Sequence, residues 1–138
     1  IITGTGGNAG SQASAMIIRG LALGEIRTRD YLKVLWKEIR VSLIVGVVLA
    51  LVNALRMILL RGTFLGSDAT NNVVLVVSLA ILCVVVVAKV MGCTLPIVAK
   101  LLKLDPAMMT GPMISTVVDA VSLLIYFSLA NAIIDFGV

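Results

Sequence analysis

Asp119 is the only charged residue between positions 106 and 134, in a run made mostly of apolar side chains. If that run crosses a bilayer, the carboxylate sits near mid-depth. A charge there costs about 2.5–3.5 kcal/mol on insertion scales and usually faces a protein interior or an aqueous path. At helical spacing Ser115, Asp119, Ser122 and Tyr126 fall on one stripe, with Thr116 adjoining. Pro112 has no N–H, so in a continuous helix the carbonyl of Met108 loses its usual partner, and Gly111 thins the same turn. A freed carbonyl, hydroxyls and a carboxylate are all oxygen donors, which hard cations such as Mg2+ take as ligands while keeping much of their water. The sulfur and imidazole ligands that softer metals favour are absent from the stripe. A plain helix seam explains Ser115 and Ser122 but not the carboxylate. Asp119 is neutralised by a proton, by a basic residue outside this sequence, or by a transported ion, and the surrounding oxygens favour the ion.

A second polar cluster opens the chain. "TGTGGNAGSQASA", residues 3–15, is uncharged and rich in glycine. Thr3, Gly7, Ser11 and Ala15 repeat every four residues, as do Gly6, Gly10 and Ser14, the spacing that lets helices approach closely in lipid. Packing accounts for the glycines but not for Asn8 and Gln12. Asn8, Ser11 and Gln12 share a helical face with Gly4 one turn earlier. Such a face, laid against the Asp119 face, would line a narrow hydrated route.

The elements that position these groups follow from composition. The chain has 138 residues, 60% hydrophobic and 13% charged, and a mean hydropathy of +1.16. A soluble domain is nearer 45–50% apolar and about 25% charged, so the bilayer is the expected solvent. Roughly twenty helical residues cross a ~30 Å hydrocarbon core. Residues 41–60 carry one charge, Arg56, and residues 73–88 carry none, between Asn71, Asn72 and Lys89. Spans are therefore expected at about 1–22, 38–60, 71–91 and 106–134. The first is complete only if residues before Ile1 belong to it, and the chain reads as beginning inside a helix. Asp105 followed by Pro106 is a helix start, since the carboxylate caps free N–H groups and proline at the first position loses nothing.

Charge sets the orientation. Six of the eleven Lys and Arg lie in residues 19–40, and Lys89, Lys100 and Lys103 lie between the third and last spans. Basic residues collect on the cytoplasmic side, which makes about 23–37 and 92–105 cytoplasmic connections and puts the C-terminus outside a multi-pass protein of the cytoplasmic membrane. Tyr31 and Trp36, among Lys33 and Lys37, suit the lipid–water boundary, and residues 28–40 are expected to form an interfacial helix running into the next span. The net charge of +4 sits mostly in these juxtamembrane loops, where it meets lipid headgroups and calls for no nucleic-acid partner. Cys83 and Cys93 match no zinc or redox spacing and read as packing residues. The absence of histidine excludes imidazole catalysis and His-ligated zinc. No phosphate loop or nucleophile elbow occurs, and nothing suggests an enzyme.

Two stretches carry a family resemblance. "GGNAGSQASAMIIRGLALGEI" resembles the second transmembrane helix and following loop of the MgtE magnesium channels and their relatives, the animal solute carriers for magnesium. "DPAMMTGPMISTVVDAVSLLIYF" resembles the fifth helix of the same family, in the right order and with two spans between. The resemblance implies an all-α membrane protein: a polytopic helical bundle with a partial second helix plus three further transmembrane helices here, five per complete subunit, in a homodimer. It implies a pore lined by the second and fifth helices, with Asp119 holding permeating Mg2+ largely through its hydration shell. The first helix and the cytoplasmic N and CBS regions of many bacterial members have no counterpart in this sequence. Many of those members carry Asn where Gly111 stands.

The expected function is therefore a divalent cation channel or transporter, most simply for Mg2+, with Mn2+, Co2+ and Ni2+ sharing its coordination. The expected metal site is Asp119, Thr116, Met108, Asn8 and Gly4, and the expected pore lining adds Ser11, Gln12, Gly111, Pro112, Ser115 and Ser122. Selectivity would come from pore width and oxygen geometry. Two rival readings are a proton- or sodium-coupled secondary transporter with Asp119 as the proton-carrying group, and a non-transporting membrane subunit whose small residues serve helix association.

Overall fold

The computed structural model describes residues 1–60, 71–109 and 111–135; the connection at 61–70, with Arg61 and Asp68, together with Thr110 and residues 136–138, lies outside the described residues. Four long helices make up the bundle: α1 (Ile2–Ala22), α2 (Tyr31–Leu59), α3 (Asn71–Leu101) and α4 (Gly111–Asp135). Short 3-10 turns at Thr28–Asp30 and Pro106–Met109 precede α2 and α4. Three helical stretches, Thr28–Leu59, Asn71–Leu101 and Gly111–Ile133, are long and apolar enough to cross a membrane. The all-α membrane bundle expected from the sequence is what the chain forms. α1 is not among the three, because its glycines, hydroxyls and amides dilute the apolar residues.

α3 is the central element: α1 and α4 pack on it and on each other, while α2 packs on α3. Lipid tails are as apolar as leucine, so helices associate in a bilayer by close fit and polar contacts rather than by the hydrophobic effect. α1 shows this directly. Its buried stripe holds Gly6, Gly10, Ala13 and Gly20, small residues at helical spacing, with Ile17 and Leu21 toward its C-terminal end. Glycine is a poor helix former, by about 1 kcal/mol relative to alanine. Within lipid the backbone must satisfy itself, which holds the segment helical, and the missing side chains admit the neighbours. A Cβ on Gly92 of α3 would collide with the carbonyl oxygen of Gly10, and one on Gly10 would stand 3.1 Å from the carbonyl oxygen of Ala88. Above and below this crossing, Ala9, Ile81, Val85, Ala88, Ile114 and Val118 form one buried cluster, and Ala13, Ile17, Leu21, Cys93 and Ile97 a second.

α2 is inverted relative to a soluble helix. Its buried residues are Glu38, Ser42, Gly46, Asn53 and Met57, at spacings that make one seam, while Leu43, Ile44, Val48, Leu51, Val52, Leu55 and Ile58 are exposed. The seam faces α3: Gly46 abuts the backbone of Leu82, and Tyr31 Oη lies 3.0 Å from Thr94 Oγ1. Lys89, expected at the cytoplasmic end of a span, is instead buried inside α3, 8% exposed, with its Nζ 3.0 Å from Oε2 of Glu38, itself 6% exposed.

Two boundaries differ from the sequence reading. α3 does not end near residue 91 but continues through Pro96 to Leu101, so most of the 92–105 connection is helix. Pro96 removes one backbone donor, but Cys93, Pro96, Ile97 and Ala99 are buried, and this packing outweighs the local break. The last helix begins at Gly111, not at residue 106; Asp105 caps the preceding 3-10 turn by accepting the N–H of Ala107 at 2.9 Å. The expected interfacial helix at 28–40 is continuous with its span from Tyr31 onward. α1 ends at a left-handed Gly24 (φ +71°), where the Ile26 N–H donates to the carbonyl of Gly20 at 3.0 Å. The Ile26 side chain then fills the space that Gly20 leaves.

Because Gly92 has backbone against it, Gly92→Ala is expected to lower stability by about 1–3 kcal/mol, the usual cost of overpacking. Gly4→Ala, where an added Cβ meets nothing within 4 Å, should leave stability unchanged. Thermal unfolding midpoints of the purified variants in detergent check both.

Candidate functional site

The polar stripe of α4 lies on the glycine face of α1. Asp119 stands in the third turn of α4, and its Oδ1 is fully buried without a hydrogen-bond partner among the described residues. The space in front of that oxygen exists because residue 7 is glycine. A Cβ at Gly7 would come to 3.4 Å from both Asp119 Oδ1 and Ser115 Oγ. Ser115 Oγ is 3.2 Å from Ser11 Oγ, and Ser11 Oγ also donates to the carbonyl of Gly111 at 3.4 Å. Gly7, Ser11, Gly111, Ser115 and Asp119 thus converge from two helices a hundred residues apart in sequence. The set offers oxygen atoms alone: two hydroxyls, one carbonyl and one carboxylate.

The other expected residues fall elsewhere. Gly4, Asn8 and Gln12 form an exposed stripe on α1, beside the Gly7–Ser11 contact rather than in it. Thr116 is exposed on α4 and donates its hydroxyl back to the carbonyl of Pro112 at 2.9 Å, which leaves the oxygen lone pairs facing outward. Ser122 is 1% exposed and donates to the carbonyl of Val118 at 2.6 Å. An added Cβ on Gly6 would come to 2.9 Å from its Oγ, so Ser122 acts as a packing residue in the α1–α4 seam. The expectation for Met108 rested on a continuous helix through Pro112. Pro112 instead occupies the first turn of α4, where a missing N–H costs nothing. Met108 belongs to the separate 3-10 turn, with its side chain exposed and its N–H donated to the carbonyl of Asp105 at 3.0 Å.

Sequence reasoning counted Gly7 only as a spacer; the four-residue repeat that includes Ser11 was the available signal for it. The pair Glu38–Lys89 was missed altogether. Its signal was a lone lysine inside "VVVVAKVMGC", which the sequence reading takes as the charged bracket of an apolar run.

The α1–α4 arrangement lies within a stretch that known proteins share. Residues 1–129 match the family model described as MgtE, divalent cation transporter. The magnesium transporter MgtE of Bacillus subtilis is 33% identical over 134 residues, 97% of this chain and 28% of that protein. The magnesium transporter MgtE of Thermus thermophilus is 33% identical over 135 residues, 98% of this chain and 28% of that protein. The chain spans little more than a quarter of the length of these curated relatives. The resemblance read from the two motifs is borne out.

The Ser11–Ser115 contact is a direct α1–α4 hydrogen bond. Interhelical polar pairs in membrane proteins average about 0.6 kcal/mol in double-mutant cycles. A cycle of Ser11→Ala, Ser115→Ala and the double variant is expected to return a coupling of about that size, read from reversible unfolding in mixed micelles.

Proposed function

We propose, from the premise that this chain belongs to the MgtE family of divalent cation transporters, that it conducts Mg2+ across the cytoplasmic membrane as part of a larger subunit. The subunit has five transmembrane helices, assembles as a homodimer and has its C-terminus outside. The observation that carries the reading is the buried, unpartnered Oδ1 of Asp119 facing Gly7. A carboxylate oxygen buried without a protein partner is offset by a proton or by a cation, and the oxygen atoms around it favour the cation.

Among the described residues no group of three or more acidic, cysteine or histidine side chains comes together to hold a metal. That favours an ion that keeps its water over one stripped into a protein cage, which is the habit of Mg2+. Each chain supplies one Asp119, and in a homodimer the exposed stripes with Asn8, Gln12 and Thr116 would face the same water-filled path. Gly7 would set the clearance, and the hydroxyls of Ser11 and Ser115 would contact the hydration shell. The attraction of a carboxylate for a divalent cation roughly 5 Å away is several kcal/mol at an effective dielectric of about 20, enough to draw the ion to mid-depth without trapping it.

The test is Mg2+ flux into liposomes containing the full-length protein, with dimer assembly checked by size. Asp119→Ala and Asp119→Asn are expected to lose at least about tenfold of the flux while still assembling, the loss of that attraction. Equal flux in a well-assembled Asp119→Ala would refute the site. Flux that requires an imposed proton or sodium gradient would replace the channel with a coupled transporter, and no flux under any gradient would leave a non-transporting subunit. Gly7→Ala, which adds a single methyl at van der Waals distance from Asp119, is expected to assemble normally and conduct several-fold less, as small misplacements near a site do.

A further inference from the structure

The one buried ion pair among the described residues, Glu38–Lys89, belongs to neither helix of the proposed pore. We propose that it is a positioning device for the Asp119 site: it fixes the depth and rotation of α3, and through α3 the face that α1 turns toward Asp119. The inference rests on the transport reading above.

The path is short and made of named contacts. Lys89 follows Ala88, whose carbonyl oxygen faces Gly10 of α1, and it precedes by about one turn Gly92, which sits against the carbonyl oxygen of the same Gly10. Glu38 therefore anchors α3 at the middle of its closest approach to α1. Gly7 and Ser11, on either side of Gly10, are the residues that meet Asp119 and Ser115. A rotation or slide of α3 at Lys89 moves Gly10, and with it the clearance at Asp119 Oδ1.

Among the described residues it is the one charge pair on the α2–α3 seam. The other members are Gly46 against Leu82, the Tyr31–Thr94 hydroxyl contact, Ser42, which bonds back to the carbonyl of Ile39, and Asn53, which donates to Met57 on its own helix. Much of the remaining surface is aliphatic, which in lipid gives little preference for one register over the next. A buried charge pair is weak as a source of stability but well suited to choosing one arrangement among several. Here it ties α2, which packs chiefly on α3, to the geometry of a site that α1 and α4 form.

The test reads the α1–α4 distance without relying on flux. In the full-length protein, with Cys83, Cys93 and any cysteine outside this sequence replaced by alanine, Ser11→Cys and Ser115→Cys report the approach of the two helices by oxidative cross-linking. Glu38→Gln and Lys89→Gln are each expected to slow cross-linking and to lower Mg2+ flux per assembled protein by about tenfold, within the range reported for residues that act on a distant site. The charge swap Glu38→Lys with Lys89→Glu should restore both to within about threefold. Should the neutral variants fail to assemble, Lys89→Arg decides. It keeps the charge but moves the donors outward, and is expected to assemble normally yet cross-link and conduct several-fold more slowly. Assembled variants that cross-link and conduct like wild type, whatever their thermal stability, would overturn the inference. A protein that conducts independently of Asp119 would instead sink the transport reading, and the cross-linking rates would still judge this one.

Discussion

Gly92 of α3 rests on the backbone of Gly10 of α1, so close that an added Cβ would collide with it. Everything that gives the bundle its shape depends on that approach. In a medium that does not reward apolar contact, two helices hold together by how well their surfaces fit, and backbone meeting backbone is the tightest fit available. It brings α1 far enough onto α3 to bury the small stripe of Gly6, Gly10, Ala13 and Gly20. It also leaves the adjoining edge of α1, with Gly7 and Ser11, free to meet α4.

Two carboxylates within the helices, the buried Glu38 and the half-buried Asp119, illustrate opposite uses of charge in such a setting. Glu38 is satisfied by Lys89 across a single helix interface. Asp119 has no basic neighbour on its own helix, and its inner oxygen lies against a glycine instead of a donor. Breaking a buried ion pair by removing one member costs several kcal/mol, because the other charge is left stranded. A protein that keeps Asp119 in that stranded condition carries the cost at one point and nowhere else among its described residues, apart from the hydroxyl of Ser78. Under the proposed reading a cation would meet that cost at Asp119, whereas Glu38 has its partner within the bundle.

Polarity is inverted in α2, whose buried seam is Glu38, Ser42, Gly46, Asn53 and Met57 and whose aliphatic residues point away from the protein. α4 is mixed, burying Ser122 with Ile114 and Val118 while Leu123, Leu124 and Phe127 are exposed. Buried hydroxyls bond back to their own helices, as Ser122 does to Val118 and Ser42 to Ile39. Two hydroxyl pairs instead meet across a helix interface, Tyr31 with Thr94 between α2 and α3 and Ser11 with Ser115 between α1 and α4. The second pair lies one turn from Asp119.

The sequence by itself determined the solvent, the helical class and the family, and it singled out Asp119 as the candidate residue. Twenty-residue apolar runs admit few other structures in lipid, and a lone mid-span aspartate stands out against them without any knowledge of its neighbours. It also marked the glycine stripe of α1 as a packing face, because spacing along a helix is a local property. What it could not decide was which groups meet. The limits of α3 and α4 depended on tertiary burial around Pro96 and on a 3-10 turn before Pro112, and local break signals misplaced both. Whether Ser122 or Gly7 faces Asp119, whether Lys89 lies in a loop or in a core, and which acid it pairs with are all set by the rotation of one helix against another. That rotation is fixed by contacts between residues as far apart as Ser11 and Ser115 or Glu38 and Lys89, which no local pattern encodes.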